Sequence, residues 1–222
     1  MRINREQSNP VFTSKIKFVD KHTFNLLQLY ISEKAKITSY DISNRSGYLL
    51  NQSKVLTTDV RTCTGGFVID PDKKMSTISV HLKNSEKNLE NIDNLNPFIS
   101  GNNAFFIGAK RRFDDKPYEF AHEVFKKISN LAKRKSIKTT TLEGLNEYCG
   151  VDLAYWGKKD TIFVGLHRII PQKGKPPQKK YIQIDNLTQL KKYFEKIKIS
   201  QTDELEFNQR ISTKELAEFI FS

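Results

Sequence analysis

Two cysteines and two histidines stand at matching intervals in this chain. Cys63 precedes His81 by 18 residues, and Cys149 precedes His167 by the same 18. A thiol beside an imidazole is the minimal equipment for nucleophilic catalysis: the ring takes the thiol proton and the sulfur attacks an electrophilic carbon. Asp70-Pro71-Asp72-Lys73-Lys74 lies midway between the first pair and Gly157-Lys158-Lys159-Asp160 midway between the second, and both are turn sequences. A hairpin closed at either turn brings its cysteine opposite its histidine on one sheet face, with Cβ atoms roughly 5 Å apart. In the first hairpin Ile78, Val80 and Leu82 alternate with Thr77, Ser79 and His81, which predicts that the histidine lies on a polar face. Spacing does not choose between the pairs, but context favours the first. Cys63 sits in Thr62-Cys63-Thr64-Gly65-Gly66, where two glycines let backbone N–H groups approach a substrate as an oxyanion hole requires. Cys149 is followed by the single Gly150. For either cysteine the plain alternative is a buried, inert thiol.

The elements that must carry these residues are a mixture of strands and helices. Strands are predicted at 11–19, 104–109 and 181–184, and hairpins at 63–82 and 151–166. A helix is predicted over 22–36, with Thr23 as its N-cap. Another spans 117–135, opened by Pro117 and striped by Phe120, Ala121, Val124, Phe125, Ile128, Leu131 and Ala132. Residues 37–58 read as short polar pieces, 83–103 as a long surface loop, and 171–180 as a basic connector rich in Pro and Gly. A helix carrying Leu187, Leu190, Phe194 and Ile197 follows, and a last one opens on the capping-box spacing Ser212 to Glu215. The fold class this predicts is α+β: a mainly antiparallel sheet, two-layered or sandwich-like, with a long covering helix and a helical C-terminal appendage. The expected organisation is a domain over 1–170 and a basic connector plus appendage over 171–222, in the same globule.

Composition bounds the function. The 222 residues carry a net charge of +12, with 37 Lys and Arg against 25 Asp and Glu, which favours an acidic partner or surface. Two cysteines exclude a disulfide scaffold and a cysteine-rich zinc site, and no cofactor or metal motif is present. No window approaches the roughly 20 apolar residues of a membrane span. The N-terminal residues lack the apolar core of a signal peptide, so the expected location is the bacterial cytoplasm, or a host cytosol reached by a leaderless route.

The run from Thr57 through Cys63-Thr64-Gly65-Gly66 to His81-Leu82 resembles the active-site region of the chemotaxis receptor glutamine deamidase CheD. It is similar also to the deamidating toxins, cytotoxic necrotizing factor and Burkholderia lethal factor. That family sets a cysteine at a strand start after a small-residue loop and a histidine one hairpin later. CheD and the lethal factor also have a threonine six residues before the cysteine, which is the place of Thr57 here. AFFIGA at 104–109 is similar to the CheD glycine strand, and the long helix and the 151–166 hairpin follow in the same order. The match spans roughly 50–167. It departs from CheD where Ser76-Thr77-Ile78 replaces a Gly-Gly, where Leu82-Lys83 replaces a Leu-Pro, and beyond residue 171.

The resemblance implies a cysteine-dependent protein glutamine deamidase of the toxin or effector type. Cys63 would be its nucleophile, His81 its base, and Thr57 the residue that orients the imidazole. Backbone groups of Thr62, Thr64, Gly65 and Gly66 would form the oxyanion and substrate loop. Lys110, Arg111 and Arg112, just after the glycine strand, are the candidate docking residues for a protein substrate with acidic surroundings around its glutamine. The residues leave other readings open: a basic nucleic-acid-binding module, resting on the charge and the aromatics, or a papain-like protease or transglutaminase using the same dyad.

Overall fold

The computed structural model describes residues 13–38, 47–110, 119–198 and 204–221. It is an α+β fold in which two mixed sheets face one another and helices cover both outer faces. The first sheet contains β1 (Lys15–Val19), β2 (Lys36–Ile37), β4 (Lys54–Val60), β9 (Cys149–Trp156), β10 (Thr161–Gln172) and β13 (Leu205–Gln209), in the order β13-β1-β10-β9-β4-β2. A further strand, β11 (Lys175–Tyr181), pairs with the far half of β10. The second sheet contains β3 (Tyr48–Gln52), β5 (Thr64–Asp70), β6 (Met75–Leu82), β7 (Asn103–Ala109), β8 (Lys138–Leu145) and β12 (Lys196–Lys198), in the order β12-β8-β7-β5-β6-β3. The chain therefore changes sheets between β4 and β5, across Arg61-Thr62-Cys63.

Three apolar layers hold this stack together. Between the sheets lie Phe67, Phe105, Leu153, Tyr155, Ile162 and Val164. Outside the second sheet, Val68, Val80 and Phe106 pack under Val124, Ile128 and Ala132 of α3 (Glu119–Arg134). Outside the first, Leu56, Ala154 and Phe163 pack under Phe24 and Leu27 of α1 (Lys21–Tyr30) and Leu216 of α5 (Thr213–Phe221). Each fully buried aromatic or aliphatic side chain contributes on the order of 2 kcal/mol, so the central strands are apolar on both sides.

Local chemistry explains the element ends, and some expectations change. Asp20 caps α1, accepting from the Thr23 N–H at 2.8 Å, so Thr23 lies inside the helix. The capping box of α5 forms as spaced: Ser212 N–H donates to Glu215 Oε2 at 2.7 Å, and Glu215 N–H to Ser212 Oγ at 3.2 Å. Residues 83–103 are not a plain loop. Ser85 caps α2 (Glu86–Asn91), a 3-10 turn follows at Ile92–Phe98, and Ile92, Leu95 and Ile99 are buried beneath α3. Their apolar spacing is diluted by Asn, Ser, Asp and Glu, which hides it in the sequence. Residues 37–58 hold three strands rather than polar pieces, and 175–181 form β11 rather than a connector. The C-terminal residues add α4 (Leu187–Tyr193) and two edge strands, one to each sheet. Pro117, Arg111 and Arg112 lie outside the described residues.

Gly66 is set by packing. A Cβ there would stand 2.2 Å from the Phe105 carbonyl oxygen and 2.5 Å from Phe106 Cδ1. Gly66→Ala is expected to destabilise the fold by about 3 kcal/mol, read as a lower urea midpoint, because the obstructing atom is backbone in the adjacent strand. An unchanged midpoint would show that β5 and β7 can separate at little cost.

Candidate functional site

The hairpin β5–β6 decides where His81 goes. Its pairing carries a bulge between Val68 and Ile69, and beyond it Gly65 faces His81 and Thr64 faces Leu82. Cys63 is therefore not directly opposite His81 as the symmetric hairpin predicts. The slip is two residues, which preserves the face. The β9–β10 hairpin slips by one: His167 faces Gly150, and Cys149 faces Arg168. A one-residue slip reverses the face, and the second pair separates. The Cys149 thiol lies against the Tyr193 phenol, whose ionisation burial and that thiol together suppress.

His81 is 1% exposed. The alternation of β6 correctly separates it from Ile78, Val80 and Leu82, which pack under α3. The face it occupies is the inner layer of the sandwich and not an open polar surface. There Nδ1 meets the hydroxyl of Thr57, Oγ1···Nδ1 2.8 Å, a buried hydrogen bond from one sheet to the other. Thr57 pairs with Leu153 in the middle of the first sheet and is itself fully buried, so it is a fixed point for the ring. Nε2 is buried and has no hydrogen-bond partner among the described residues. Burial lowers the imidazole pKa to about 4, against the pull of Asp59 and Asp152, so the ring is neutral at neutral pH.

Cys63, His81, Thr62, Thr58, Asp59, Arg61, Thr38 and Glu147 line one cleft of about 550 Å³ at this end of the sandwich. Neither cysteine is in a disulfide. The Asn84 amide donates to the Thr62 carbonyl and ties the bend 61–63 to the end of β6. Thr64 is fully buried at the start of β5. Gly65 and Gly66 lie within β5, paired on both sides to β6 and β7, so their backbone groups belong to the ladders. The N–H groups of Thr62 and Cys63 belong to no ladder. Lys110 follows the end of β7 and pairs with Glu195, so its charge is compensated.

A second group of residues, built on Asp59 and Asp152, which the sequence reading did not single out, and on His167, which it did, braces the cleft wall. Asp59 adopts the left-handed region, φ 60°, at the irregularity in β4 between Thr57 and Val60. Its N–H donates to Asp152 Oδ1 at 2.7 Å, and its carboxylate meets Arg61 at 2.9 Å and Lys179 at 3.2 Å. His167, fully buried, stands between the two carboxylates, 3.4 Å from Asp59 and 3.7 Å from Asp152. The facing His167 ring, then Lys179 and Arg61, hold the Asp59 carboxyl well below the usual range despite its burial. The sequence carries one hint of this, an aspartate where a strand must break its register, since Asp tolerates positive φ.

Among the described residues no group of three His, Cys, Asp or Glu side chains is placed to hold a metal ion, and no helix is long and apolar enough to cross a membrane. Compared with protein-family models and with curated proteins, the chain matches none.

Proposed function

We propose that the protein is a cysteine-dependent hydrolase that deamidates a glutamine side chain of a target protein. The observation that carries this reading is the buried Thr57–His81 hydrogen bond beside a cleft that Cys63 also lines. In this reading His81 holds its proton on Nδ1, donating to Thr57 Oγ1, and presents the Nε2 lone pair to the cleft. Nε2 takes the Cys63 proton as Sγ attacks the carboxamide carbon. The bend 61–63 lines the cleft and is the proposed source of the oxyanion donors, whereas Gly65 and Gly66 are engaged in the ladders. Collapse of the tetrahedral adduct breaks the C–N bond, and the imidazolium returns its proton to the departing ammonia. Water then hydrolyses the thioester, leaving glutamate and the thiol.

The neutral ring supports a general-base step rather than a resting thiolate–imidazolium pair. The chemistry is tested by incubating candidate host and bacterial protein mixtures with the enzyme and mapping peptides that gain roughly one dalton at a glutamine, the mark of amide hydrolysis. Peptide cleavage in place of that gain would replace the reading with a protease.

Thr57 acts here as a positioning residue. Thr57→Val keeps the shape and removes the partner of Nδ1, and it is expected to lower kcat roughly a hundredfold with little change in KM. Thr57→Ser, which restores the hydroxyl, is expected to recover most of the rate. Equal rates for Val and Thr would show that the ring is oriented without this bond.

A further inference from the structure

β10 is twelve residues long, and its two halves have different neighbours. Thr161 to Val164 pair with β1, and Thr161 to Arg168 with β9. Beyond Ile169, whose N–H still donates to the Tyr148 carbonyl at 2.8 Å, the strand pairs with β11 alone, so residues 170–178 form a two-stranded arm. Every residue from Ile170 to Gln178 is exposed, and Gly174 turns the tip at φ 70°, where an added Cβ would meet nothing within 4 Å. From Thr161 to Ile184 the chain contains no Asp or Glu, yet Arg168, Lys173, Lys175, Lys179 and Lys180 fall within it. Arg168 and Lys180 are direct cross-strand partners, an arrangement that like charges oppose. Of these five cations only Lys179 pairs with a carboxylate among the described residues, and one of its partners, Asp59, lines the Cys63 cleft. The root of the arm and the cleft are thus in contact.

We infer that this arm is a docking element for an acidic segment of a protein. The inference rests on the proposed reading for its choice of a protein occupant, and the charge pattern supports it independently. The uncompensated cations create a positive field that an acidic partner relieves. Consecutive Pro176 and Pro177 remove two N–H donors from β11, so a partner is held by side-chain charge rather than by strand addition. Alternate residues of an extended acidic peptide repeat every 6.8 Å or roughly so, as do same-face positions on a strand, which lets carboxylates match lysines in register. The arm exposes no aromatic side chain on which a nucleic-acid base could stack, since Tyr181 at its root is half-buried and donates to Asp152. A target seated there is delivered beside Cys63.

The test uses the full chain with Cys63→Ala, so that binding is read without turnover. Fluorescence anisotropy at low salt measures a labelled alternating Glu-Ala peptide, with oligothymidylate and a DNA duplex as comparators. The arm variant carries Arg168→Glu, Lys173→Glu and Lys180→Glu. A control carries Lys34→Glu, Lys87→Glu and Lys214→Glu, exposed positions elsewhere with the same change of net charge. The arm variant is expected to weaken peptide binding at least about tenfold and the control less than about threefold. A second arm variant with Gln at the three positions is expected to fall between, and melting curves check that all variants fold. Equal losses in the arm and control variants would overturn the inference. So would arm-dependent binding of either nucleic acid more tightly than the peptide. Loss of the deamidase reading is a separate result, seen in the mass assay and not in these affinities.

Discussion

Alanine at position 63 is expected to reduce deamidation to background, a loss of roughly 10⁴-fold, while Cys149→Ser stays within about twofold of the parent. The two substitutions divide the two cysteine–histidine pairs that the sequence offers. Without Sγ no acyl intermediate can form, and the remaining cleft supplies only binding and oriented backbone donors. Cys149 lies beside Tyr193 and has no route to His167, which is enclosed by Asp59, Asp152 and Tyr181. The measurement is the rate of glutamine-to-glutamate conversion in a responsive target, by peptide mass, with both variants at matched concentration. Full activity in Cys63→Ala together with its loss in Cys149→Ser would transfer the chemistry to the second hairpin and overturn the proposed site.

Acidification is expected to weaken the fold through His81. The ring has a folded pKa of about 4 against an ordinary value near 6.5. Between these values the unfolded chain binds the proton and the folded chain does not, so stability rises with pH through this window. The contribution is complete above about pH 6.5 and is lost progressively as the pH falls to 4, by about 3 kcal/mol in total. His81→Asn removes the titration and leaves His122 and His167 in place, so the difference between parent and variant isolates the one group. Urea unfolding at intervals from neutral pH down to 4 should show the parent losing its advantage over His81→Asn by that amount. Parallel curves would mean that the ring is not held neutral in the core. The same experiment bears on mechanism, because a neutral imidazole at working pH is what a general base requires.

Much of the frame was legible because it depends on short-range patterns. The stripe of Val124, Phe125, Ile128 and Leu131 predicts α3, the turn at Gly157 to Asp160 predicts the β9–β10 hairpin, and Ser212 with Glu215 predicts the cap of α5. The helical segment 86–98 was hidden because three buried residues, Ile92, Leu95 and Ile99, among Asn and Ser do not make a long periodic signal. β11 was hidden because Pro, Gly and Lys are the composition of a linker, and a strand that pairs on one side only tolerates them. The Asp59–Asp152–His167–Lys179 group joins four strands, β4, β9, β10 and β11, and no local spacing announces it.

The sequence by itself determined the chemistry on offer: two thiols, each with an imidazole one hairpin away, one of them beside a glycine pair and six residues after a threonine. Tertiary structure decided which pair shares a cleft. Register is counted in single residues, and a hairpin midpoint is read no more finely than that. A slip of two in β5–β6 keeps Cys63 and His81 on one cleft, and a slip of one in β9–β10 sends Cys149 and His167 to opposite faces. Tertiary structure also made His81 a buried, neutral ring, because the face that alternation marks as polar is covered by a second sheet, from which Thr57 reaches across to hold it.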